Sequence, residues 1–173
     1  MPKTAPDAIA LLKADHRKVE ELFEKFEKSR SKKAEIAKKI CMELTVHTLI
    51  EEDIFYPACK DAVAQDKLDE AQVEHDSAKI LIAEIESASP GDDFFEAKVK
   101  VLSEEIEHHV KEEEERGGIF AQIKQSDIDL NALGARMQAR KEELMAEFES
   151  SGLPTPVVRS LSGAKVKYAQ PPV

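Results

Sequence analysis

Two short pairs in this chain, His47-Thr-Leu-Ile-Glu51 and His109-Val-Lys-Glu-Glu113, place an imidazole and a carboxylate four residues apart. On a helix that spacing puts both groups on one face, a turn apart. Imidazole and carboxylate together form a ligand set for a divalent or trivalent transition metal. Two further histidines, His16 and His75, each sit alone in their own segments. Two pairs and two singles supply donors for two metal ions if the chain can bring them to one place.

Helices can do so. Helix A opens at Asp7, an N-cap candidate after Pro6, and runs to about Ser29 with Ile9, Leu12, His16, Val19, Phe23 and Phe26 in step. Helix B, about Lys32 to Lys60, carries Ile36, Ile40, Leu44, His47, Glu51 and Ile54. Helix C, about Lys67 to Ala88, carries Leu68, Ala71, His75, Ala78, Ile82 and Ile85. Helix D, about Asp92 to Arg116, carries Phe95, Val99, Leu102, Ile106, His109 and Glu113. Every step is three or four residues, the period of a buried helix stripe. The short connections at 29–31, 61–66 and 87–91 predict antiparallel neighbours and an all-α, up-down-up-down four-helix bundle. At about 1.5 Å per residue, the four histidines then fall into one layer.

Gly117-Gly118 ends helix D, and a short segment follows from Ile119 to Gln125. An additional C-terminal helix starts at Ser126 or Asp127, with Leu130, Leu133, Met137, Leu144 and Phe148 as its apolar face, and ends near Gly152. It holds no His or Cys, so it is expected to cover an end or flank of the bundle. The chain thus divides into a bundle (1–125), an accessory helix packed on it (126–151) and an extended Pro/Ser-rich tail (152–173). The tail carries Arg159, Lys165 and Lys167 without an acidic residue. Its composition predicts an extended segment, loose or lying over its own bundle; contact with a partner subunit is the alternative, and the oligomeric state is open.

Composition agrees with one helical domain: 173 residues, 35% charged, 5% aromatic and no Trp. A formal net charge of −10 argues against nucleic acid, whose phosphates call for clustered cations. Cys41 and Cys59 are too few for a disulfide framework and read as buried free thiols in a reducing compartment. The N-terminus lacks an apolar signal region and no run approaches membrane-spanning length, so no membrane association and a cytoplasmic location are expected.

Burying Glu51 and Glu113 as free anions would cost several kcal/mol each, and no Lys or Arg occupies the stripes to offset this. Metal ions would supply the missing charge. The flanking Glu52, Asp53, Glu112, Glu114 and Glu115 turn away by about 100° per residue and read as a solvated face, with Glu114 left open. His108 leaves the stripe as well and reads as a supporting or surface residue. Four imidazoles with two carboxylates suit iron, manganese or zinc, and the lack of thiolate argues against copper storage. A ferritin-like centre needs two Glu-x-x-His motifs. Only Glu105-Ile-Glu-His108 fits that spacing, and Gln72 stands three before His75.

In combination, Asp15-His16-Arg17, His47-Thr-Leu-Ile-Glu-Glu-Asp-Ile-Phe-Tyr-Pro57, Glu74-His75 and His109-Val-Lys-Glu-Glu-Glu114 resemble the hemerythrin-like, or HHE cation-binding, family over about residues 7–120. The resemblance implies a four-helix bundle with a non-haem, carboxylate-bridged di-iron centre, further bridged by oxo, hydroxo or solvent. It implies His16, His47, His75 and His109 as terminal ligands, with Glu51 and Glu113 as bridges. The oxygen-carrying members have a second histidine four residues after the one on the third helix, where this chain has Lys79. They also place the last carboxylate, an Asp, five residues after the final histidine; counted from His108, Glu113 fits that spacing, whereas helical phase favours His109. One fewer histidine leaves room for a solvent or protein ligand on the second iron.

The expected function is therefore that of a di-iron protein that binds or senses dioxygen, nitric oxide or iron itself. The alternative is an oxidoreductase on the same centre: a ferroxidase, a peroxide-consuming enzyme or a nitric-oxide reductase. Zinc or manganese in place of iron, and an interaction module working through the tail, complete the set. Whether the chain is an enzyme stays open at this point.

Overall fold

The computed structural model describes residues 6–169, so residues 1–5 of the expected bundle and 170–173 of the expected tail lie outside the described residues. Every regular element among the described residues is helical. Helix α1 spans Ala8–Lys28, its first turn capped by Asp7, whose carboxylate accepts from the Ala10 N–H at 2.8 Å. Helix α2 (Lys33–Ile50) runs on through a π-helical turn, Glu51–Phe55, into the short α3, Tyr56–Cys59. Helices α4 (Gln65–Glu86) and α5 (Phe95–Glu114) form the second hairpin. The short α6 (Ile119–Ile123) then leads to α7, Leu130–Ser151, which opens on an Asp129 cap. No helix among the described residues is long and apolar enough to cross a membrane.

Packing closes a ring: α1 on α2, α2 on α4, α4 on α5 and α5 on α1. Helix α7 lies outside it against α1 and α2. Gly134 permits that contact, because a Cβ there would run into the backbone of Pro6, Asp7 and Ala8 at the start of α1.

Two apolar clusters fill the interior. One gathers Leu12, Ile50, Phe55, Phe120, Met137 and their neighbours, and takes in α6 and α7. The other gathers Val19, Phe23, Ile40, Leu44, Ile82 and Leu102. His16 separates Leu12 of the first from Val19 of the second, and His75 likewise separates Ala71 from Ala78. The bundle thus has a polar layer between two dry ends.

The π turn changes one expectation. An unbroken α stripe would continue from Glu51 to Ile54, but Phe55 is the fully buried residue and Ile54 is only half-buried. The Tyr56 N–H donates to the Glu51 carbonyl, five residues back, and the widened turn holds an extra residue. In a regular helix Tyr56 would point about 140° away from Glu51; here both face the polar layer.

The first part of the tail, residues 153–160, lies against its own bundle. The Arg159 and Ser160 N–H groups donate to Asp76 Oδ2 at 2.7 and 2.6 Å, and Lys79 Nζ donates to the Val157 carbonyl at 3.0 Å. Both free cysteines, Cys41 and Cys59, are buried, and burial pushes both thiols well above their ordinary pKa.

Candidate metal centre

Four helices each deliver one imidazole to the polar layer: His16 from α1, His47 from α2, His75 from α4 and His109 from α5. The two carboxylates set four residues after His47 and His109 come with them, and Glu51 and Glu113 have no exposed surface. Donor atoms of His16, His47, Glu51 and Glu113 lie within 4.8 Å of one another, and so do those of Glu51, His75 and His109. The two groups share Glu51, which is the arrangement of two adjacent ion sites.

Every imidazole has the same orientation. The Nε2 atoms face inward: His47 and His75 each stand 3.2 Å from Glu51 Oε2, His16 stands 3.3 Å and His109 3.7 Å from Glu113 Oε2. The Nδ1 atoms face outward, each towards a carboxylate on a neighbouring helix. Glu114 stands 2.7 Å from His16, Glu52 3.1 Å from His75 and Glu74 2.7 Å from His109, while Asp15 lies 3.6 Å from His47. An outer carboxylate on Nδ1 leaves Nε2 free as a ligand atom and raises its basicity.

Each outer carboxylate is held in turn by a cationic or protonatable side chain. Lys13 and Arg17 hold Glu114, Lys141 of α7 holds Asp15, Lys79 and Arg159 hold Glu52, and His108 approaches Glu74 at 3.4 Å. Glu52 is therefore buried and engaged, contrary to its reading as part of a solvated face. One helical step from Glu51 turns it against α4, where it meets His75 and Lys79. Lys79 is a buried lysine beside the layer, although the stripes themselves hold none, and it clamps Glu52 and Asp76. His108 stays exposed, and His109 is the one that enters the cluster. Helix α7, expected only to cover a flank, reaches the layer's edge through Lys141.

Tyr56 was not foreseen. Its hydroxyl donates to Glu113 Oε1 at 2.9 Å and sits 3.4 Å from His75 Nε2 and 3.5 Å from Glu51 Oε2. Its sequence signal is weak, because only the i to i+5 closure brings it over Glu51.

The layer is electrostatically incomplete. Burial alone would raise the Glu51 pKa, but His47 and His75 outweigh it and hold the carboxyl well below its usual range. Burial likewise disfavours a charged His47, yet Glu51 and Asp15 push its pKa up to about 10; Glu51 and Glu52 push His75 up to about 9. The buried carboxylates draw protons onto these rings, so metal capture here must displace them. Even so, His16 Nε2, His47 Nε2, Glu51 Oε1 and Glu113 Oε2 are buried without a hydrogen-bond partner. Four orphaned ligand atoms converging in one dry layer fit bound metal far better than a closed hydrogen-bond network.

The family model for the hemerythrin HHE cation binding domain matches residues 7–116. A DNA nickase from Nostoc sp. is 29% identical over 116 residues, which is 66% of this chain and 32% of that protein. This chain therefore spans about a third of that relative's length. The crystal structure of a hemerythrin HHE cation binding domain-containing protein from Mycobacterium kansasii superposes with a TM-score of 0.71 at 23% identity, over 90% of this chain and 99% of that one. At that identity the likeness is one of fold.

Proposed function

The chain belongs to the hemerythrin HHE cation-binding family, and from that premise we propose that its polar layer holds two iron ions and binds or senses a small uncharged ligand such as dioxygen or nitric oxide. The observation that carries the reading is the convergence of four Nε2 atoms and two fully buried carboxylates, several of them without any partner. His16, His47, Glu51 and Glu113 would hold one ion, and His75 and His109 with the shared Glu51 the other. Two iron ions would supply open coordination positions and reversible one-electron chemistry. Among the described residues, 6–125 serve as the ligand-bearing unit, 126–151 as its buttress through Lys141, and 153–160 as a strap.

The protein's own groups have definable tasks. Glu114, Glu52 and Glu74 fix the ring orientation and tautomer of His16, His75 and His109, and Asp15 faces His47 as a longer ion pair. The two apolar clusters exclude water from either side of the layer. The second iron position has one histidine fewer than in the oxygen carriers, and Tyr56 is the protein oxygen that reaches it. Burial and the charges of Glu113 and Glu51 push the Tyr56 pKa well up, so the phenol keeps its proton and can orient Glu113.

That phenol also favours a second reading, an oxidoreductase on the same centre, because Tyr56 places a hydrogen-bond donor beside Glu113 and His75 inside the buried layer. Metal analysis after anaerobic reconstitution tests both readings: fewer than about one iron per chain would refute them together. Mixing the reduced protein with dioxygen or nitric oxide then separates them. A stable, reversible spectral change supports binding or sensing; sustained consumption that slows in Tyr56→Phe supports an enzyme.

A further inference from the structure

Beneath the tail lies a recess of about 380 Å³ between α2 and α4. The bundle contributes Thr45, Thr48, Leu49, Ile82 and Ala83 and the charged Glu52, Lys79 and Glu86 to its wall, and the tail contributes the run from Leu153 to Val157 and Arg159. A second cavity of about 10 Å³, close to the room one water needs, is lined by all four imidazoles of the cluster and by Val19, Leu44, Ile106 and Val110. Thr48 lines both, and among the described residues no other side chain does so. It is 2% exposed, and its hydroxyl proton is committed to the Thr45 carbonyl at 3.1 Å.

The geometry points to an entrance: the tail-roofed recess admits a small uncharged diatomic ligand, and Thr48 gates its passage to the imidazoles. This rests on the metal-centre reading above. The apolar stretch of wall formed by Leu49, Ile82, Ala83 and the tail suits such a ligand, since neutral gases enter apolar surroundings without a desolvation penalty. A second crevice, lined by Lys67, Glu74, Glu112 and Glu113 beside His109, has only Ala71 and Ile119 as apolar wall. The recess keeps its roof because Arg159 and Ser160 are bonded to Asp76 just beyond Val157. Thr48 is then the side chain shared by the recess and the cavity at the imidazoles.

Two substitutions test this in the full-length protein. Leu153→Trp fills the recess from the half-buried roof, and Thr48→Ala widens the gate. The first readout needs no reaction: under xenon pressure, methyl NMR signals of Leu49 and Ile82 should shift in the parent and stay fixed in Leu153→Trp. The second is stopped-flow binding of nitric oxide to iron-loaded protein. Association and dissociation rates should both fall in Leu153→Trp and both rise in Thr48→Ala, by about three- to tenfold, with iron content, spectrum and Kd unchanged. Equal changes in the two rates mark a barrier on the path, whereas damage to the centre would move Kd and the spectrum. Absence of xenon shifts at Leu49 and Ile82, or unaltered rates in both variants at full iron content, overturns the entrance alone. A parent chain that takes up no iron sinks the metal-centre reading, and the entrance falls with it.

Discussion

Replacing Asp76 with alanine should free the tail. Asp76 has no exposed surface, and its Oδ2 accepts the Arg159 N–H, the Ser160 N–H and the Ser160 hydroxyl at 2.7, 2.6 and 2.8 Å. When the tail leaves, those donors return to water, so each contact contributes about 1 kcal/mol net. Three of them give about 3 kcal/mol, or roughly a hundredfold in the docking equilibrium. The remaining polar anchors are weaker: Lys79 Nζ donates to the Val157 carbonyl at 3.0 Å, about 1 kcal/mol, and Arg159 reaches Asp53 at 2.7 Å and Glu52 at 3.0 Å, but its side chain is 43% exposed, and such pairs contribute about 0–1 kcal/mol. Hydrogen exchange at the Arg159 and Ser160 amides reads the result directly, because Asp76 is the partner of both. Exchange should quicken by about a hundredfold in Asp76→Ala and by less than about threefold in Asp53→Ala.

The pH dependence follows with a definite sign. Burial alone would raise the Asp76 pKa, but the Ser160 and Arg159 donors and Lys79 outweigh it and hold the carboxyl well below 3.8. A carboxyl depressed in the folded state contributes stability that is complete above its unfolded pKa of about 3.9 and is lost as pH falls through the lower folded value. Tail protection should therefore be the same at pH 7 and pH 5 and disappear only in strong acid. Unchanged exchange in Asp76→Ala, or release of the tail near pH 5, would refute the assignment of Asp76 as the latch.

Glu51→Ala and Glu113→Ala should each lose at least one iron by metal analysis, while Glu115→Ala, on the exposed face, should lose none. Glu52→Ala should weaken iron binding by about ten- to a hundredfold through His75; a Glu52 variant that titrates like the Glu115 variant would refute that contact. Chelation should lower the melting temperature. Iron at about a hundred times its Kd contributes about 2.7 kcal/mol, or about 5–11 °C for a chain of this size, and a calorimetric scan with no shift would contradict metal in the core. Gly134→Ala should cost about 1–3 kcal/mol by forcing α7 off the start of α1, with iron content unchanged.

The bundle and the convergence of its inward groups were legible in the chain because both depend on periodicity alone. His16, His47, His75 and His109 sit where apolar stripes demand a residue, and short connections bring the stripes to one level. Legibility failed where the period itself changed. The π turn at Glu51–Phe55 is a choice of i+5 over i+4 closure, a small backbone difference that this segment's residue types do not announce. Past it, an α count places Ile54 and Tyr56 wrongly by the same added residue. The latch at Asp76 was hidden for a different reason, since it joins residues more than eighty positions apart through backbone N–H groups that every sequence possesses.

The outer carboxylates, by contrast, could have been read from the same helical geometry that found the inner ones. Asp15 and Glu74 immediately precede His16 and His75, while Glu52 and Glu114 immediately follow Glu51 and Glu113. One step along a helix is about 100°, which in a square of four helices points a side chain at the adjacent helix rather than at water. The result is a directed ring: α1 supports the imidazole of α2, α2 that of α4, α4 that of α5, and α5 that of α1. Such a ring couples each ion position to two helices at once, so a change at any one outer carboxylate reaches a ring nitrogen it does not itself carry. Glu52 is the member of this ring tied to the tail, through Arg159. Release of the tail should therefore perturb the His75 position before that of His16, and an iron spectrum in Asp76→Ala that altered at both positions equally would argue against a directed ring.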